Sequence, residues 1–230
     1  MNNTVVEFQK RIKEVDIYFQ TLDLLDKGCC KISCTDIQGI VLEKEIDNEL
    51  SKILKANGFL LLYNLIEATI KTSIDEIFIT IHTSNITFKS LTDNLKSLWI
   101  NQEIKDLRDN TFTVATLRTK VMNISESILN SELTIFKSEC VNISGNIDAK
   151  KIREIANQFG YNEPKNGGGL LTIKNKRNHL AHGEYTFAEI GKDYTVGDLV
   201  KFKDETELYL TEVLSNIDSY LANMKFKAVV

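Results

Sequence analysis

Proline is almost missing from this chain: Pro164 is the single one in 230 residues. With so few backbone breakers, long helices run on, whereas a sheet-rich chain would need turns at short intervals. Cysteine comes as four unevenly placed residues, Cys29, Cys30, Cys34 and Cys140, with no C-x-x-C pair among them. That spacing supports neither a disulfide framework nor a redox pair, and it leaves the cysteines as ordinary small side chains in a reducing compartment. Net positive charge is lacking as well. The formal charge is −4 and the pI near 5.5, so contact with a nucleic acid must rest on a local patch and not on a global field.

Long uninterrupted apolar runs are also absent. The most apolar stretch, GFLLLYNLIEATI at 58–70, carries Asn64 and Glu67 and falls short of the roughly 20 residues that cross a bilayer. It reads as a core helix. The N-terminal MNNTVVEFQKRIKEVD lacks the apolar centre of a signal peptide. The expectation is a cytoplasmic protein with no membrane association.

What the chain does have is 43% apolar residues, enough for a sizeable core, and apolar positions recurring every three or four residues. The spacing argues for a mostly helical chain. One stripe runs through Phe8, Ile12, Val15, Phe19 and Leu22, a second through Phe88, Leu91, Leu95 and Leu98. A third joins Val114, Leu117, Val121, Ile124 and Ile128, and a fourth Leu210, Val213, Leu214, Ile217, Tyr220 and Leu221. The longest pattern begins near Val41 and passes Ile81, with Gly58 as a break or a close-packing point. Two segments, 29–42 and 133–147, have β-branched residues without helical spacing and are expected to be loops or short extended insertions. YNEPKNGGGL at 161–170 is the clearest turn. Its glycines precede a helix as phosphate loops do, but no Gly-Lys-Ser/Thr follows, so a flexible linker is expected.

That loop leads into KNKRNHLAHGEYTF, residues 174–187, which holds two of the three histidines. On a helix over 170–182, Leu170, Ile173, Leu180 and Ala181 fall on one side, and Arg177 falls in the middle of it. Asn178 and His182 lie on the flank of that stripe, and His179 points away. A guanidinium cannot shed its charge, so on a buried seam it needs an anion. The long helix offers one: Ile46, Leu50, Ile53, Asn57, Leu60, Asn64 and Glu67 share a face, and Glu67 either pairs with Arg177 or orients it toward a ligand phosphate. His182, followed at once by Gly183, belongs to the last turn, where a histidine can serve as acid or base. On a straight helix positions 177 and 182 are about 140° apart. A distorted helix end, a long reach by the arginine or a second subunit has to close that gap.

Arg177-Asn178-His179-Leu180-Ala181-His182 resembles the Arg, polar residue, three variable residues, His signature of the HEPN superfamily of all-helical domains, many of them ribonucleases. GEYTFAEIGKDYTVGDL and FLLLYNLIEATI are similar to one bacterial branch of HEPN-like nucleases, of the type described in Microcystis. The resemblance covers most of the chain, most strongly 57–82 and 147–224.

It implies an all-α, HEPN-type helical bundle, a single helical domain over 1–230, and a metal-independent RNA endonuclease, without cofactor, working as a homodimer whose two motif copies form a composite active site. Arg177 would then bind or polarise the scissile phosphate, His182 would be the acid/base and Asn178 would orient one or the other. Glu67 and Asn64 would support Arg177, while Lys174, Lys176 and Tyr185 would contact RNA backbone and base. The RNA's own 2′-hydroxyl would attack, leaving a 2′,3′-cyclic phosphate and a 5′-hydroxyl.

The resemblance also implies a toxin or antiviral-defence effector under a cognate antitoxin or neighbouring-gene partner. In some relatives a tyrosine two residues after the histidine is modified with AMP. Here that place is Glu184, and Tyr185 comes one residue later.

Plainer readings exist for the same residues. Arg177 and Glu67 make a structural pair, His182 caps a helix end, and the lysines form a solvated face. Asn64 and Glu67 also serve as a hydrogen-bonding pair that fixes helix register. His179 and His182 make half a zinc site, but neither His82 nor the cysteines complete it, so no metal is expected. A catalytically silent HEPN protein, acting as a binding or dimerisation module for a partner protein, is the alternative to the nuclease.

Overall fold

The computed structural model describes residues 2–28, 30–107, 113–141, 143 and 145–228. Among the described residues, eight α-helices and one antiparallel hairpin make up the α and β structure, with short 3-10 turns between them, so the fold class is all-α. The helices are α1 (Asn2–Asp26), α2 (Asn48–Thr83), α3 (Asp93–Glu103), α4 (Val114–Leu129), α5 (Ala149–Phe159), α6 (Gly168–Ala181), α7 (Phe187–Gly191) and α8 (Val196–Ala222). The chain falls into two compact units, residues 5–69 with 166–210 and residues 1–4 with 70–165 and 211–230.

The first unit carries the histidine-rich stretch. The α1 stripe of Phe8, Ile12, Val15, Phe19 and Leu22 is buried, as are Ala56, Phe59, Leu62, Tyr63, Leu65 and Ile66 of α2. Gly58 does not break α2. A Cβ there would meet Phe19 Cζ at 3.6 Å and Leu199 Cδ1 at 3.8 Å, so it marks close packing without collision. Phe59 lies edge-on to Tyr194 at 4.9 Å and beside Phe202 at 5.8 Å, tying α2 to the start of α8. Polar ties reinforce the apolar ones. The Tyr18 hydroxyl donates to the Leu54 carbonyl, and burial pushes its pKa up to about 12. The Lys203 ammonium reaches Asp16 at 2.7 Å. Burial works against that ammonium, yet the hydrogen bond to Asp16, with Asp204 and Glu207 nearby, holds its pKa above the ordinary lysine value.

In the second unit the aromatic side chains touch one another in series. Phe78 stacks on Phe136 at 5.4 Å and meets Phe159 at 5.5 Å. The buried Tyr220 hydroxyl donates to the Phe159 carbonyl at 2.9 Å, and burial raises its pKa.

Several local expectations need correction. The long helical pattern does not begin at Val41: that residue opens β2 (Val41–Glu45), which pairs with β1 (Lys31–Thr35) in the register Lys31↔Glu45 to Thr35↔Val41. Gly39, at φ +82°, supplies the turn, and Asp36 holds it by accepting from the Gln38 and Ile40 amides. The segment 29–42, expected as a loop or short extended insertion, lies in this small strand pair, except Cys29, which is outside the described residues.

The segment 133–147 is mostly loop, with a bridge from Leu133 to Thr87 and a 3-10 turn at Ser138–Cys140; Asn142 and Ser144 lie outside the described residues. In the second stripe, Phe88 lies in a 3-10 turn and Leu91 is extended and bridged to Lys227, both ahead of α3. The third stripe does form α4, but α4 buries none of its residues, and Val114, Leu117 and Val121 are exposed.

The tightest backbone approach belongs to the first unit, at Gly191. A Cβ on it would lie 1.8 Å from the Lys52 carbonyl oxygen, so α7 can sit against the first turns of α2 only through a glycine. Gly191→Ala is expected to lower stability by about 2–3 kcal/mol, a fall of roughly 4–10 °C in melting temperature, while Gly58→Ala changes it little. Thermal unfolding followed by circular dichroism checks both.

Candidate functional site

The motif helix α6 is fixed at both ends. At its start Gly167 takes a left-handed conformation, φ +81°, and the Gly169 amide donates to Glu205 Oε1 of α8 at 3.1 Å. A carboxylate at a helix N-terminus offsets the positive end of the dipole. A Cβ on Gly169 would come within 2.5 Å of Glu205 Oε2 and 3.0 Å of Phe202 Cδ1. These glycines are thus the close docking point of α6 on α8, which corrects the reading of the loop as a flexible linker.

At the other end α6 stops at Ala181, and His182 is the cap residue. The Gly183 amide donates to the Leu180 carbonyl at 3.2 Å and the Glu184 amide to the His179 carbonyl at 3.0 Å. That pair of bonds is the Schellman arrangement, and it requires the left-handed φ of +69° that Gly183 supplies.

Between the caps, Leu170, Ile173 and Leu180 are buried while Ala181 is exposed. Arg177 sits where the wheel puts it. Its guanidinium carbon lies over the Tyr63 ring, 4.3 Å from the centroid, and Nη2 is 3.7 Å from Glu67 Oε2. Nη1 donates to Asn178 Oδ1 at 2.9 Å. The Arg177 and Glu67 side chains keep 26% and 20% of their surface exposed, so the pair is sheltered but reachable. Stacking a guanidinium on an aromatic face contributes about 0.5–2 kcal/mol. Tyr63 is a residue that sequence reasoning missed; its place one residue before Asn64 was the only signal.

Asn64 faces a different helix. It is exposed, and its Oδ1 accepts from Arg11 Nη1 of α1 at 3.3 Å. The expected row from Ile46 to Glu67 is not the buried seam either: Ile46 precedes α2, Ile53 is exposed, and Asn57 turns its amide back to the Ile53 carbonyl at 3.0 Å. The deeply buried face of α2 runs through Ala56, Phe59, Leu62, Tyr63 and Ile66 instead.

The two histidines differ, but in the opposite sense to the wheel: His179, expected to point away, is half-buried, and His182, expected on the flank of the stripe, is exposed. His179 Nδ1 is paired with the Glu184 carboxylate, and its ring meets Tyr185 edge-on at 5.1 Å. His182 is exposed, and its imidazole makes no hydrogen bond or ion pair with a described residue. Within one chain, then, Arg177 and His182 are not hydrogen-bonded to each other.

Of the three residues expected to meet RNA, Tyr185 is half exposed and Lys174 half-buried. The Lys176 ammonium lies 5.4 Å from the Tyr194 ring centroid. Lys176 and Tyr185 also line a small hollow with Glu189, Ile190, Lys192 and Asp193. Hydrogen bonds from the Thr186 backbone amide and hydroxyl hold the Glu189 carboxyl below the usual range, because it closes the capping box of α7.

A family model described as HEPN_MAE_28990/-like HEPN matches residues 3–226. No curated protein and no solved structure matches the chain.

The site makes unequal demands on folding. Arg177→Ala leaves Glu67 sheltered without its cation and should cost about 1–2 kcal/mol, less than the ~3–5 kcal/mol of a fully buried pair because both side chains stay partly wet. His182→Ala leaves every bonded pair in place and should not move the denaturant midpoint. Equilibrium unfolding of both variants in urea checks the contrast.

Proposed function

The chain belongs to the HEPN family whose model it matches over residues 3–226, and on that footing we propose that it is an RNA endonuclease acting as a homodimer. The observation that carries this reading is the uncommitted His182 imidazole, exposed on a rigid glycine-closed cap at the end of the helix that presents Arg177. A histidine that only capped a helix would be expected to spend its ring on a carbonyl or a carboxylate, as His179 spends its own on Glu184.

The chemistry follows from the groups. His182 takes the proton of an RNA 2′-hydroxyl, whose oxygen attacks the neighbouring phosphorus. Arg177 neutralises charge gathering on the phosphate oxygens, a role for a fixed cation in a partly dry site. The P–O5′ bond breaks, and the leaving oxygen takes up a proton from water. The products are a 2′,3′-cyclic phosphate and a 5′-hydroxyl. Asn178, tied to Arg177 Nη1, keeps the guanidinium facing the phosphate.

Because positions 177 and 182 are about 140° apart on a straight helix, the arginine of one copy and the histidine of the other meet at the same phosphate. Glu67 and Tyr63 hold Arg177 in place, while Lys176 and Tyr185 meet the strand beyond it. In this reading the enzyme works in the cytoplasm as a toxin or antiviral effector, restrained by a cognate antitoxin or a partner from a neighbouring gene.

The Arg177–Glu67 pair also favours a second reading. An arginine fully employed in packing suits a catalytically silent HEPN protein that serves as a binding or dimerisation module for another protein. The two part on one assay. Purified protein is expected to cleave single-stranded RNA in EDTA, leaving cyclic phosphate and 5′-hydroxyl ends, and to spare DNA of the same sequence. His182→Ala should abolish cleavage while its dimer and melting curve stay unchanged. Wild-type protein inert on total RNA, tRNA and mRNA would leave the binding module as the function.

A further inference from the structure

A second arginine in the same unit has no acid bonded to it among the described residues. Arg11, on α1, is half-buried, and its one hydrogen bond among those residues is from Nη1 to the neutral Asn64 Oδ1. Its Nε is shut off from water and has no acceptor. The acidic neighbour one turn back, Glu7, feels the Arg11 charge but is paired with Lys10 at 2.6 Å. A sheltered guanidinium with a neutral partner and an orphaned donor is costly, and an anion on its free edge offsets that cost.

The location gives the arginine a use. Asn64, which holds Arg11, and Glu67, which holds Arg177, are three residues apart on α2 and therefore neighbours on its surface, with Cβ atoms about 5–6 Å apart. Arg11 and Arg177 thus dock on one stretch of α2 from different helices, α1 and α6. We infer that Arg11 is a second phosphate-binding residue, taking the phosphodiester next to the one that Arg177 takes. This rests on the RNA reading above and extends it: the site grips two successive phosphates of a single strand.

The Nε–Nη2 edge of a guanidinium forms the fork that holds a phosphate bidentately, and with Nη1 kept on Asn64 a small turn of the guanidinium uncovers the Nε that is buried here. Asn64 becomes a positioning residue for Arg11, in place of the role in supporting Arg177 that the sequence suggested. The missed signal was an arginine at position 11, on the flank of a stripe whose other members, Phe8, Ile12 and Val15, are apolar.

The test is the salt dependence of binding to a 2′-O-methyl RNA oligonucleotide, which the enzyme cannot cut. On a single strand, each phosphate that the protein no longer neutralises should reduce the slope of log K against log salt by about 0.7, measured from about 50 to about 200 mM. Arg11→Gln is expected to weaken binding and to reduce the slope by that amount, and to raise KM for RNA cleavage more than it lowers kcat. Arg11→Lys keeps the charge and should keep the slope, even if the fold is slightly weakened. Lys13→Gln, an exposed change on the same helix, should alter neither slope nor KM.

An unchanged slope in Arg11→Gln, with wild type binding normally, overturns the inference. So does a loss of dimer in sedimentation with the slope intact, which would assign Arg11 to a protein interface. If wild type neither binds nor cleaves RNA, the nuclease reading itself fails and this inference with it.

Discussion

The structure around the motif depends on one constraint: a guanidinium that cannot give up its charge stands on the buried side of a helix. Arg177 has to be met by an anion and an aromatic face, and α2 provides both in Glu67 and Tyr63. Once that pair is made, the rotation of α6 about its own axis is set. Leu170, Ile173 and Leu180 go inward, and Asn178 and His182 come to the rim. The two caps make the setting rigid, Glu205 at one end and the Gly183 turn at the other. In the proposed enzyme a packing requirement and a chemical one are met by the same side chain, as happens where function breaks a local sequence rule.

How much of this is legible in the sequence depends on how polarised each helix is. α6 carries few apolar residues, and the wheel alone sets Arg177 inward; it does not foresee that Ala181 is exposed or that His179 folds back on Glu184 and Tyr185. α1 behaves likewise, with its five-residue stripe buried as the spacing predicts. α2 is apolar nearly all round. Its periodicity cannot say which face is deepest, and the row ending in Glu67 looks like a seam although Asn64 and Ile53 are exposed. Glu67 is nonetheless the acid that Arg177 meets, because the buried charge demands an anion and the long helix holds one near the right height.

Other features are hidden for different physical reasons. The glycines at 167–169 look flexible in a sequence, since composition does not show that Glu205 and Phe202 fill the space where a Cβ on Gly169 would go. The stripe at 114–128 does give a helix, but amphipathicity does not guarantee a neighbour, and α4 leaves Val114, Leu117 and Val121 exposed. Arg11 is easily passed over because an arginine beside an apolar stripe is commonplace. Only its neutral partner and orphaned Nε, both tertiary facts, set it apart.

Within one chain the motif is incomplete, since Arg177 is committed to Glu67 and His182 stands alone on its cap. In the proposed enzyme, a phosphate is held by Arg177 of one copy and attacked with the help of His182 of another. Complementation between two inactive proteins tests this most directly. Arg177→Ala and His182→Ala variants, each inert alone, are mixed under conditions where subunit exchange is verified by mass, and RNA cleavage is measured. With a composite site, the mixed dimer regains cleavage that neither parent has. A mixture that stays inert despite complete exchange would contradict it.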